Sequence, residues 1–151
     1  MLTLEKVEPS DPRIPHKLLK EADPNESSIA EYLERSQVIL AVLDGQVAGV
    51  AIYEIQGNNG TLWNLAVSTE CRRHGFASKL IEAVIRQARK AYVKVLEVGT
   101  GNSSLGQLAL YQKCGFRIDS VKKDAFCGYT PEIYENGIRC IDLVVLKLKF
   151  E

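Results

Sequence analysis

The residues of this chain best suited to chemistry stand between Val67 and Ser78, where Arg72-Arg73-His74-Gly75-Phe76-Ala77-Ser78 follows an apolar stretch and opens an amphipathic one. From Ala77 to Tyr92, the positions Ala77, Leu80, Ile81, Val84, Ile85 and Ala88 share one helical face, and Lys79, Glu82, Arg86, Arg89 and Lys90 share the other. The spacing predicts a helix beginning near Gly75. Its first backbone N–H groups, through Ser78, have no intrahelical partner and carry the positive end of the helix dipole, which suits a phosphate. Gly75 lets such a group approach closely. Arg72 and Arg73 add charge that does not titrate near neutrality and can form forked hydrogen bonds to phosphate oxygens. His74 is read as an exposed member of this loop. The bland alternative is a solvated first helical turn.

A second segment of chemical interest is Leu110-Tyr111-Gln112-Lys113-Cys114-Gly115-Phe116. Gly115 reads as a helix C-cap and Phe116 as the start of a strand, so Tyr111 lies near a helix end, where an isolated tyrosine fills the core.

Together the two segments resemble the signatures of the GNAT superfamily of N-acyltransferases, of bacterial, single-domain type. The first is similar to its pyrophosphate loop, Arg/Gln-x-x-Gly-x-Gly/Ala after a strand, here Arg72, Gly75 and Ala77. The second is similar to its helix ending in Leu-Tyr-x-x-x-Gly-Phe. Order and separation also match, and from about Val38 onward the elements fit, roughly three quarters of the chain. The resemblance implies acetyl-coenzyme A as co-substrate, with pantetheine bonded like an added strand to the backbone of Leu65, Ala66 and Val67. Asn102, Ser103 and Ser104 would edge the same cleft. Many members carry an asparagine seven residues before the tyrosine; here that position is Ser104, with Asn102 two residues earlier, and either can serve as the cofactor contact.

The implied reaction is direct attack of an amine on the acetyl thioester. An alkyl ammonium with a pKa of about 10 must first lose a proton, so a base or a water chain is required. The oxyanion needs a donor, which a free N–H near Leu65 or Ala66 can supply. The departing thiolate needs a proton, and the resemblance assigns that role to Tyr111. For the base, Glu97 in Leu96-Glu97-Val98 is similar to a glutamate some members use, and is otherwise an exposed or paired strand carboxylate. Asn64 can instead hold a water. The alternative to an enzyme is a non-catalytic acetyl-coenzyme A sensor.

These groups need a scaffold. Strands are predicted over Leu2–Val7, Val38–Leu43, Gln46–Ile55, Thr61–Val67, Val93–Val98, Phe116–Val121 and Cys140–Phe150, with helices near Lys17–Ala22 and through Glu34, the latter capped by Asn25 or Ser27. Asp44-Gly45 reads as a two-residue hairpin, Asn58-Asn59-Gly60 as a turn, and Gly99-Thr100-Gly101-Asn102 as a strand breaker, after which Ser103 or Ser104 caps the Tyr111 helix. Gly99-x-Gly101 lacks the third glycine and the ribose-reading acid of a dinucleotide fingerprint. The expected architecture is one α/β (α+β) domain over residues 1–151, with a mixed, mostly antiparallel sheet, a central splay and flanking helices.

Composition narrows the partners. Lys plus Arg and Asp plus Glu each total 19, so no basic excess marks a nucleic-acid binder. No apolar run approaches the roughly 20 residues of a bilayer span, and no signal-peptide pattern opens the chain, so a cytoplasmic protein without a membrane partner is expected. The scattered Cys71, Cys114, Cys127 and Cys140 and the separated His16 and His74 form no metal pattern, and no metal site is expected. The partner expected is a small-molecule or protein amine, and a homodimer is admissible. The segment 122–138 joins Asp124, Glu132 and Glu135 to Phe126, Tyr129 and Tyr134, which favours a cationic acceptor; Lys122 and Lys123 lie in the same stretch and leave a solvated loop as the alternative.

Overall fold

Partial alternation marks β1 (Leu2–Val7) and β4 (Asn59–Val67), and continuous apolar runs buried on both faces make β2 (Gln37–Leu43) and β3 (Gln46–Gln56); the four pair antiparallel in chain order. The computed structural model describes residues 1–151, which divide into units of residues 1–93 and 94–151. The first unit also holds α1 (His16–Ala22), α2 (Glu26–Glu34) and α3 (Phe76–Lys90). Asn25 caps α2, its Oδ1 accepting from the Ser28 N–H at 3.1 Å. Asp44 and Gly45, with φ of 50° and 82°, make the expected hairpin turn between β2 and β3.

Helices α1 and α2 cover one face of the β1–β4 sheet. Leu19, Ile29, Tyr32 and Leu33 pack there with Val38, Leu40, Val50, Ile52 and Ala66. α3 covers the other, burying Leu80, Ile81, Val84, Ile85 and Ala88. Each large apolar side chain so buried stabilises the unit by about 1.5–3 kcal/mol.

The β3–β4 register shifts between Ile52 and Tyr53: Ile52 faces Asn64 and Tyr53 faces Leu62, leaving Trp63 as the extra residue of a bulge. The turn before β4 is Gly57-Asn58, one residue shorter than the expected Asn58-Asn59-Gly60, and Gly60 pairs with Ile55 inside the strand. A regular ladder from Gln56–Asn59 to Tyr53–Leu62 extends the hairpin beyond what the glycine suggested.

The second unit contains β5 (Val95–Gly101), α4 (Leu105–Lys113), β6 (Arg117–Lys122), the short pair β7 (Tyr134–Glu135) and β8 (Ile138–Arg139), and β9 (Leu143–Lys149). β9 runs antiparallel to both β5 and β6. Gly99-Thr100-Gly101 does not break the strand as expected. It continues β5, pairing with Val145, Val144 and Leu143. The glycine at 101 serves close approach, since a Cβ there would lie 2.5 Å from Cys140 Sγ. The β7–β8 hairpin, absent from the sequence expectation, turns on Asn136-Gly137 with φ of 55° and 75°. β9 begins at Leu143, because Cys140, Ile141 and Asp142 bond elsewhere.

Candidate active site

The loop between β4 and α3 is built to present bare N–H groups. Arg72 is extended (φ −70°, ψ 155°), Arg73 turns left-handed (φ 68°), and Gly75 at the helix start is left-handed again (φ 78°, ψ 10°). No side chain caps α3, and its first turn holds no acidic residue. The first intrahelical bond is from Lys79 N–H to the Gly75 carbonyl, 3.1 Å, so the preceding amides are left for another acceptor. Nothing lies within 4 Å of the place a Gly75 Cβ would occupy, which leaves room for a bulky anion against the backbone. Arg72 Nε donates to the Val67 carbonyl at 3.1 Å, tying the guanidinium to the end of β4 while its Nη atoms remain for phosphate oxygens. Arg73 and His74 are exposed, and the His74 ring lies 5.8 Å from Phe76. These residues fit a pyrophosphate. Upstream of the loop, Leu65, Ala66 and Val67 pair with Ala51, Val50 and Gly49 through one edge of β4.

On the same strand Asn64 is 4% exposed. Its Nδ2 donates to the Leu19 carbonyl (3.1 Å) and to Tyr32 Oη (3.0 Å), and its Oδ1 is buried without a partner. Leaving such an acceptor unpaired costs about 1–3 kcal/mol, so the group calls for a water or a ligand atom. Around it stand residues that sequence reasoning missed. Tyr32 donates to Asp23 Oδ2 at 3.0 Å, and its ring stacks on Trp63 at 5.2 Å. The buried Glu54 accepts from Trp63 Nε1 (2.9 Å) and Arg35 Nε (3.0 Å). Burial pushes the Tyr32 phenol up, with the Asp23 carboxylate adding to the shift and the Asn64 bond opposing it. Only the bulge brings Trp63 to this face, and no short motif announces it.

In the second unit Tyr111 is 4% exposed on α4, edge-on to Phe116 at 5.8 Å. Burial raises its pKa, with Cys114 adding to the effect, so the phenol stays protonated well above neutrality. Ser104 stands at the start of α4 as expected, but its hydroxyl does not cap the helix; it donates to Glu135 Oε1 at 2.8 Å. Ser103 Oγ reaches the same oxygen at 3.4 Å. Asn102 Oδ1 accepts from the Ile141 and Asp142 N–H groups (2.8 and 2.9 Å), and its Nδ2 donates to the Arg139 carbonyl at 3.1 Å. Asn102 is thus held by the 139–142 segment, while Ser104 Oγ keeps an acceptor lone pair.

Glu97 is half-buried on β5, opposite Lys147, whose ammonium lies 3.4 Å from Asp119. The carboxylates expected to draw a cationic acceptor are also engaged: Glu132 pairs with Arg139 at 2.9 Å and Glu135 holds the two serines. Phe126 and Tyr129 pack edge to face at 5.7 Å, as anchors of the loop. No group of three or more His, Cys, Asp or Glu residues could hold a metal ion.

An uncapped helix start beside paired arginines after a strand suits a pyrophosphate-bearing ligand such as coenzyme A. The chain belongs to the Acetyltransferase (GNAT) family, whose profile matches residues 4–116, and it is an acetyltransferase that uses acetyl-coenzyme A. It is 41% identical over 133 residues to an uncharacterized N-acetyltransferase, YvbK, of Bacillus subtilis (strain 168), a match covering 87% of this chain and 86% of that one. Among solved structures it is similar to the IAA acetyltransferase of Bacillus cereus ATCC 14579, with TM-score 0.93, 39% identity, and coverage of 99% and 100%. It is likewise similar to a GNAT family acetyltransferase of Elizabethkingia anophelis with acetyl-CoA bound, with TM-score 0.92, 35% identity, and coverage of 99% and 98%. The mixed α/β fold with mostly antiparallel strands is that of the family.

Proposed function

We propose that this chain acts as a single acyltransferase domain over residues 1–151, in the cytoplasm, and moves the acetyl group of acetyl-coenzyme A to a primary amine by direct attack. The acceptor is a cationic small molecule or a protein amine. The observation that carries the reading is the uncapped start of α3 beside Arg72 and Arg73, which suits a pyrophosphate. The family match from 4 to 116 includes parts of both units, which supports one functional domain.

In this reading the amides from Gly75 to Ser78 and the two guanidinium groups hold the pyrophosphate, and the backbone of Leu65 to Val67 orients pantetheine. An N–H near Leu65 or Ala66 stabilises the oxyanion. Tyr111, kept neutral by burial, supplies the proton the leaving thiolate takes. For removal of the amine proton, the unpaired Oδ1 of Asn64 supports the water route over Glu97, whose strand register sets it across from an ammonium.

The test is thiol release from acetyl-coenzyme A with spermidine, glucosamine, a lysine-containing peptide and an alanine-terminated peptide, at low and high salt, with mass analysis of the amine. The expected result is release that depends on the amine and transfers one acetyl group, with added salt weakening the preference for the more cationic acceptors. Binding of acetyl-coenzyme A with no amine-dependent release would leave a sensor in place of an enzyme.

A further inference from the structure

A one-way chain of hydrogen bonds runs through the first unit from β4 to the end of α1. Asn64 Nδ2 donates to Tyr32 Oη (3.0 Å), and Tyr32 donates to Asp23 Oδ2 (3.0 Å). The direction is fixed at both ends. The Leu19 carbonyl, which also takes a bond from Asn64 Nδ2, can only accept, so Oδ1 is the atom left unpaired; the Asp23 carboxylate, whose Oδ1 takes the Asn25 N–H at 3.1 Å, accepts as well. Asn64 and Tyr32 are 4% and 3% exposed, whereas Asp23 is only half-buried. The chain therefore starts at a buried unpaired acceptor and ends at a carboxylate in reach of water.

We propose that Asn64, Tyr32 and Asp23 form the relay that deprotonates the acceptor amine, a role that rests on the acetyltransferase reading above. The acceptor ammonium donates one N–H to Asn64 Oδ1. A second N–H bond breaks, directly or through one water, as its proton passes to Tyr32 Oη and the Tyr32 proton moves to Asp23 Oδ2. The nitrogen lone pair so freed attacks the thioester carbonyl, the phenol is regenerated, and Asp23 returns the proton to solvent. Burial and the neighbouring Asp23 carboxylate disfavour an ionised Tyr32, so in this relay it passes a proton on without keeping a charge. The charged groups around it are Asp23 and the Arg35–Glu54 pair reached through Trp63, and Lys20 and Glu26, which flank Asp23 in the chain, pair with each other.

The experiment compares the whole chain with Tyr32→Phe and Asp23→Asn, using an alanine-terminated hexapeptide and spermidine as acceptors from pH 6.5 to 10. Tyr32→Phe keeps the ring on Trp63, and Asp23→Asn, at a half-buried position, keeps an acceptor oxygen and serves if the first variant does not fold. At pH 7 each variant should lower kcat/KM by about 10²-fold. The gap should close as pH approaches the amine pKa, about 8 for the peptide and about 10 for spermidine, because a free amine needs no relay. A loss that is the same at every pH marks a structural role and overturns the relay, as does no loss at all. Calorimetry and wild-type turnover separate the underlying reading: if the wild type fails to bind acetyl-coenzyme A, or binds it and turns over neither amine, that reading falls, whereas wild-type turnover that both variants keep at pH 7 overturns the relay alone.

Discussion

Tyr111 shows how one residue can be legible in sequence and still change meaning in the structure. Its place before Gly115 and Phe116 marked a helix end, and the family resemblance marked a proton donor, yet burial to 4% exposure also makes it a core residue. The two roles are compatible. Burial holds the folded-state pKa above its ordinary value of about 10, so the acid form persists throughout the working range and kcat should show no falling limb from this group below about pH 10. Tyr111→Phe keeps the edge contact with Phe116 and removes only the hydroxyl. It should lower kcat by about 10²–10⁴-fold with acetyl-coenzyme A affinity little changed, measured by single-turnover thiol release. A wild-type rate in that measurement would leave Tyr111 as packing alone. Asp23, Tyr32 and Trp63 were not legible at this scale, because nothing in their spacing announces a bulge or a bond between elements more than 30 residues apart in sequence.

Elements were read well where local chemistry decides them. The apolar strands β2 and β3, the Asp44-Gly45 turn between them and the Asn25 cap all follow from residue types within a few positions. They were misread where distant partners decide. Gly99 and Gly101 continue β5 because β9 pairs with it and Cys140 needs the space, and Asn136-Gly137 turns a hairpin whose strands are only two residues each. That hairpin is fastened to the start of α4: Glu135 takes the Ser104 and Ser103 hydroxyls, and Asn136 Nδ2 donates to the Ser103 carbonyl at 2.9 Å. Glu135→Ala leaves both buried hydroxyls without their acceptor and should destabilise the fold by about 1–3 kcal/mol in urea unfolding. Glu135→Gln keeps an acceptor oxygen and should restore most of it. Equal losses in the two variants would show that the charge and not the hydrogen bond matters.

For the molecule as a whole, the family was recoverable from two short segments because their order and separation are set by a shared fold. What lies between them was not: which of Asn102 and Ser104 keeps a free lone pair depends on the 139–142 segment, and no spacing rule encodes it. In the proposed reading, the activity of the whole rests on the start of α3. The most direct measurement is calorimetric titration of acetyl-coenzyme A into the wild type and into Gly75→Asp. A carboxylate at this position would meet the pyrophosphate at close range, and its left-handed φ of 78° adds strain for any side chain. A thermal melt confirms that the variant folds. The account predicts saturable, one-to-one binding by the wild type and a loss of at least about 100-fold in the folded variant, equivalent to about 2.7 kcal/mol; equal affinity in the two proteins would contradict it.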